Sequence, residues 1–148
     1  MSTNTRFMPV PPEAVWDTLA DSGSYQYWVV GSKHIRDADP QWPQPGSKFH
    51  HTIGMGPFEL ADHTESLEAE RPTRMKLRAK GRPIGTATVT IEMLPRDGGT
   101  EVRMTENPDG PYRPLTLVVP LQVFAQLRNA ESLMRLEELA LRRAHTTA

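Results

Sequence analysis

Hydrophobic and polar positions change period twice along this chain, and the two changes outline a fold. Near the start, Val15, Trp16 and Leu19 recur at helical spacing and give one apolar face. Pro11, Pro12 and Glu13 precede them, a composition suited to a first helical turn, where proline loses no hydrogen bond and an acid meets the helix dipole. The short segment Thr3 to Pro9 reads as a strand stopped by proline, and the first helix should end near Asp21. Ser22-Gly23-Ser24 breaks the chain, and a second short helix is expected to carry Tyr25 and Trp28 three residues apart. Val29 to Ile35 reads as a strand, and Asp37 to Gly46, with three prolines, as an exposed loop.

From Ser47 the period drops to two. Phe49, His51 and Ile53 alternate with Lys48, His50 and Thr52; Gly54 and Gly56 mark a turn; Phe58 to Leu67 is a further strand, ended by Glu70-Arg71-Pro72. Met75, Leu77 and Ala79 alternate with Lys76, Arg78 and Lys80, and after a turn at Gly81 to Gly85 come Ala87, Val89, Ile91 and Met93 between threonines and Glu92. Asp97-Gly98-Gly99 has hairpin composition, and Val102 and Met104 continue the alternation. Strands apolar on one side and polar on the other, joined by short turns, predict an antiparallel meander with one wet face.

After a polar loop, Asn107 to Pro114, the period returns to helical up to about Arg143, with Leu121, Phe124, Leu127, Met134, Leu136 and Leu139 as its apolar surface. Pro120 must start or kink this helix. Residues 144–148 read as a frayed tail. The expected architecture is α+β: a curved antiparallel sheet of about seven strands around a long C-terminal helix, with two short helices after the first strand. Residues 1–148 are expected to form a single domain.

Composition removes several function classes. The chain has 148 residues, 37% hydrophobic and 24% charged, with a formal net charge of -1; a core is possible, and the basic stripe of a nucleic-acid binder is missing. No cysteine is present, which excludes thiolate chemistry and disulfides. The most apolar run, Leu115 to Leu121, is too short for a membrane span and contains Pro120. Met1 to Val10 lacks the apolar core of a signal peptide, so a cytoplasmic location is the default expectation. No nucleophile elbow, phosphate-binding glycine loop, zinc spacing or dinucleotide fingerprint occurs, and no cofactor is expected.

Three stretches resemble the START-like superfamily, also called SRPBCC, in its polyketide cyclase/dehydrase branch. They are Val10-Pro-Pro-Glu-Ala-Val-Trp16 leading to Leu19-Ala-Asp21 and Tyr27-Trp28; Pro45-Gly-Ser-Lys-Phe49 followed by Leu67-Glu-Ala-Glu-Arg-Pro72; and Gly99-Thr-Glu-Val-Arg-Met-Thr105 before a final helix containing Arg128-Asn-Ala-Glu-Ser-Leu-Met-Arg-Leu136. The resemblance covers nearly the whole chain. It implies a helix-grip fold, in which a sheet grips the last helix and leaves a cavity, and binding of an apolar small molecule, sometimes with chemistry on it.

A cavity of this kind would be lined by Trp28, Phe49, His51, Ile53, Met75, Leu77, Val89, Ile91 and Met104, and from the helix side by Leu117, Leu121 and Phe124. The competing reading is that these side chains form an ordinary close-packed core. His51 shares a face with Phe49 and Ile53 and is a candidate proton donor, acceptor or anchor; His50 points the other way, which makes the adjacent pair a poor metal site. On the next strand Phe58 and Leu60 favour an inward Asp62, whereas Leu67 favours Glu65 and His63; the conflict predicts a bulge. Glu106 follows Met104 at strand spacing, either inward at a cavity mouth or turned to solvent. His51, Asp62 and Glu106 are therefore the catalytic candidates. Three functions remain open: a binding protein for a small hydrophobic or aromatic ligand; a cofactor-free cyclase, dehydratase or aromatase using a pocket histidine and carboxylate; and an interaction module with a filled cavity. The partner expected is a small apolar or aromatic molecule, with no nucleic acid and no membrane span.

Overall fold

A computed structural model describes residues 1–30, 32–55, 58–81, 85–108 and 119–147. The elements run β1 (Ser2–Met8), α1 (Pro12–Leu19), a 3-10 turn (Ser22–Ser24), α2 (Tyr25–Trp28), β2 (Ser32–Ala38), β3 (Lys48–Met55), β4 (Phe58–Glu70), β5 (Arg74–Gly81), β6 (Gly85–Arg96), β7 (Gly99–Pro108) and α3 (Val119–Thr147). The seven strands form one antiparallel sheet in the order β1-β7-β6-β5-β4-β3-β2. Every neighbour is sequence-adjacent except β1, which closes onto β7. The α+β elements expected from the period changes are observed, and they take the helix-grip arrangement that the resemblance implied.

Local chemistry explains the joints. Pro12 opens α1, where its missing N–H costs nothing. The carbonyl of Leu19, orphaned at the end of α1, accepts the Tyr25 hydroxyl at 2.8 Å and the Trp42 indole N–H at 3.2 Å. Gly98 takes φ +82° in the β6–β7 turn, a conformation that needs glycine. At Gly99 a Cβ would collide with the Met8 carbonyl, so the close approach of β1 to β7 depends on that residue having no side chain.

Two boundaries and the burial of one loop differ from the sequence expectation. The second strand lies at Ser32–Ala38 rather than Val29 to Ile35. The segment before it is drawn onto α3 instead, through the Val30 N–H donating to Ser132 Oγ at 3.1 Å. The proline-rich loop after β2 is not simply exposed: Trp42 is buried against Tyr25 and Phe49. The last helix continues to Thr147 rather than fraying at Ala144, its end held by Arg143 pairing with Asp21 at 3.2 Å and the Thr146 hydroxyl donating to the Arg142 carbonyl. Pro120 lies in its first turn, the starting role expected of it.

The face of α3 that meets the sheet also differs. Asn129, Ser132, Leu133, Leu136 and Ala140 are buried, whereas Leu127 is 68% and Met134 43% exposed. Apolar spacing alone assigned Leu127 and Met134 to the core. The sheet's grip rotates the helix so that a stripe of small and polar residues shares the buried face.

Candidate functional site

The strand register sorts the inner face of the sheet into cross-strand rows. One row runs Ala69–Met75–Ile91–Met104–Asn4 and the next, on β6 and β7, pairs Met93 with Val102. Met75, Ile91, Met93 and Val102 have no exposure, and neither does Leu136 of α3. This end is closed and apolar, and it is continuous with the buried cluster that takes in Tyr25, Trp28, Trp42 and Phe49. Further along, the rows change character. Ser66–Leu77–Val89–Glu106 comes next, then Phe49–Thr64–Ala79–Ala87, then His51–Asp62.

At this second end buried polar groups concentrate. His51 and Asp62 are direct cross-strand partners and are 6% and 4% exposed. His51 Nε2 and Thr64 Oγ1 share a hydrogen bond of 3.2 Å. Thus Asp62 faces inward and His63 outward. The expected bulge exists, displaced to Leu67: the β4–β5 register shifts between Ser66 and Glu68, which lets Thr64 and Ser66 point inward while Ala69 still packs on the core. Beside these groups stands a cluster of aromatic rings. Tyr25 lies 4.6 Å from Phe49 and 4.9 Å from Trp28 between ring centres, Trp42 lies 4.7 Å from Phe49, and Phe49 lies 5.5 Å from His51. Burial, helped by the Asp21 charge, pushes the Tyr25 phenol far above its ordinary value, so it stays a neutral donor to Leu19. The Trp28 indole N–H is buried with no acceptor among the described residues.

Glu106 neither turns out to solvent nor stands alone. Its carboxylate takes both Arg128 Nη2 contacts, at 2.5 and 2.7 Å, and the Asn129 amide at 3.1 Å, across from β7 to α3. Two further polar ties bind β1 to the same helix: Asn4 to the Gln126 carbonyl at 3.0 Å, and Arg6 to Glu137 at 3.0 Å. β1 and β7 therefore hold α3 by polar bonds, those of Glu106 and Arg6 charge-assisted, while Leu133, Leu136 and Ala140 pack into the apolar core.

Of the residues proposed to line a cavity, Trp28, Phe49, His51, Met75, Leu77, Ile91 and Met104 are buried and Val89 is partly buried. The structure brings Trp28, Phe49 and His51 together at the polar end and places Met75, Ile91 and Met104 in the closed core. Leu117 lies outside the described residues, as do the side chains of Ile53, Leu121 and Phe124. Sequence reading missed Trp42, Tyr25, Thr64 and Asn129. A tryptophan inside a proline-rich loop was the available signal, since an indole left in water forfeits a large apolar surface; nothing in the alternation marked Thr64. Two shallow grooves, about 380 and 420 Å³, open to solvent where α2 meets the C-terminal half of α3. They are lined by groups such as Tyr27, Leu139 and Arg142, not by the inner face of the sheet. No helix among the described residues is long and apolar enough to cross a membrane.

A sheet of this order gripping a C-terminal helix, polar at one end of its concave face, defines a class. Residues 2–140 match the family model described as polyketide cyclase / dehydrase and lipid transport, and the chain belongs to that family. Solved structures share the fold. The crystal structure of Ara h 8.0201 superimposes with TM-score 0.76 at 14% identity, covering 95% of this chain and 96% of that one. Protein NE0264 from Nitrosomonas europaea gives 0.71 at 20% identity, with 95% and 93% covered. TTHA0849 from Thermus thermophilus gives 0.71 at 17% identity, with 95% and 97% covered. No curated protein matches the sequence.

Proposed function

We propose that the protein binds a small hydrophobic or aromatic molecule at the polar end of the space between sheet and α3. The observation that carries this reading is the arrangement of His51, Asp62 and Thr64 on the inner face beside an aromatic cluster. Polar side chains cost free energy in a core, and a group of them beside an apolar wall is the usual means of orienting a ligand. Apolar burial, at about 25 cal/mol per Å², would supply the affinity. His51 and Thr64 would fix the ligand's orientation, and the Trp28 N–H would donate to a ligand oxygen. The family's description, which includes lipid transport, supports the same class of ligand.

Native mass spectrometry of freshly purified protein tests this directly. A small apolar adduct, lost on denaturation and displaced by a fluorescent naphthalene sulfonate probe, is the expected outcome. Adduct-free protein that also excludes benzene would sink the idea. His51→Ala should weaken the probe by about tenfold, or 1.4 kcal/mol.

A second reading is a cyclase or dehydratase acting on a polyketide-like substrate, with no cofactor. The cross-strand placement of His51 against Asp62 favours it, because an imidazole oriented by a carboxylate can remove and return the proton that enolisation and loss of water require. Glu106, engaged by Arg128 and Asn129, has no part in that scheme. Turnover of an aromatic β-keto thioester, falling about 100-fold or more in His51→Ala, distinguishes the enzyme from the carrier; binding without turnover leaves the carrier.

A further inference from the structure

The outer face of the sheet carries a pair of histidines that the inner site does not use. His50 on β3 and His63 on β4 are direct cross-strand partners, so both side chains leave the sheet on its convex side. Both are half-buried, and their ring centres lie 5.9 Å apart in an edge-to-face arrangement. Two imidazoles bound to one ion at metal–nitrogen distances of about 2.0–2.1 Å place their ring centres about 5–6 Å apart, for ligand angles from tetrahedral to somewhat wider. Side-chain rotation alone therefore brings the pair to chelating geometry, on two strands whose register is set by the ladder.

The surroundings select the kind of ion. Lys48, on the same strand as His50, and Lys80, on β5, lie close enough to act electrostatically on His63. The two ammonium groups repel a hard cation held by charge alone. An ion whose bonds to imidazole nitrogen are largely coordinate tolerates them. Asp37 on β2 is the cross-strand partner of His50 and puts a carboxylate in the same row; its Oδ1 accepts the Ala38 N–H. No group of three histidine, aspartate or glutamate side chains among the described residues has metal-ligand geometry, which makes this a two-ligand site with its other positions open to water.

We infer that His50 and His63 form a surface site for a borderline divalent transition-metal ion of the copper, nickel and zinc group. Copper(II) binds such nitrogen pairs most tightly in that series and is the probe. In the unsubstituted protein, substoichiometric copper(II) should broaden the ring-proton resonances of His50 and His63 before those of His34, His51 or His145. The electron paramagnetic resonance spectrum should carry hyperfine structure from two imidazole nitrogens. His50→Gln and His63→Gln should each weaken binding by roughly tenfold or more, or 1.4 kcal/mol, with the thermal midpoint unchanged. Lys80→Gln should tighten it, because a repelling charge is gone. Broadening that begins at another histidine or at the amino terminus overturns the assignment. So does a spectrum with one nitrogen, or an affinity indifferent to both glutamine variants and to Lys80→Gln. None of these outcomes depends on whether the inner face binds a ligand.

Discussion

The two ends of the trough between sheet and helix are built from the same strands but obey different chemistry. At one end Met75, Ile91, Met93, Val102 and Leu136 are sealed from water and meet apolar partners. At the other, a few residues along the same strands, Thr64, Asp62 and His51 face inward, and Glu106 reaches across to Arg128 and Asn129. The first end is what a domain needs in order to stay folded. The second is more polar than folding requires. The difference separates an apolar, sealed stretch from a more polar one along the strand direction.

The comparison breaks most readily at the sealed end. Leu136→Ala opens a cavity where no water can enter and should cost about 2–5 kcal/mol, read from urea denaturation. A loss below about 1 kcal/mol, outside that range, would show that this end is loosely packed and that the two ends do not differ. Next in size is Glu106→Gln, which leaves the Arg128 guanidinium without its counter-charge in a partly buried setting. A loss of about 1–3 kcal/mol is expected, and Arg128→Met in the same chain should recover part of it.

A smaller effect is expected when both members of the inner hydrogen bond are replaced together. The double variant His51→Leu with Thr64→Val should cost about 1–2 kcal/mol, since the hydrogen bond between them is removed with both its partners but the buried Asp62 carboxylate is left against an apolar neighbour. Its probe selectivity should nevertheless shift toward ligands without oxygen. Equal losses for this pair and for Leu136→Ala would erase the distinction between the ends.

The smallest effect is a pH dependence from the outer face. Burial first, then Lys80 and Lys48, lowers the pKa of His63 in the folded chain from 6.5. The unfolded chain therefore binds that proton more readily, and stability is full above the unfolded value and declines as pH falls through it toward the folded one. Denaturation midpoints between about pH 7.5 and 5.5 should fall less steeply in His63→Gln than in the parent; these pH limits are about one unit either side of the ordinary histidine value.

Particular residues show how far the alternation of polar and apolar positions could carry. It placed Phe49, His51, Met75, Leu77, Ile91 and Met104 on one face because strand geometry forces every second side chain to the same side. The conflict between Phe58 and Leu67 announced a bulge on β4, since no regular strand satisfies both. It could not say that Thr64 would sit opposite Phe49, because a threonine in a strand is as common outside as inside. Nor could it tell that Glu106 would turn inward, since its partners Arg128 and Asn129 lie on a helix more than twenty residues away. The helix face was misjudged for a related reason: spacing gives the existence of an apolar stripe on α3, while its rotation depends on what the sheet presents.

By itself the chain's pattern determined the element order, the antiparallel sheet and the inward identity of most strand residues, because these follow from local periodicities of two and 3.6. Only the tertiary structure decided which inward residues are sealed and which are grouped with polar neighbours, that Trp42 is buried, and that His50 meets His63. Those outcomes depend on register between strands and on the docking angle of α3, quantities fixed by contacts between residues far apart in sequence.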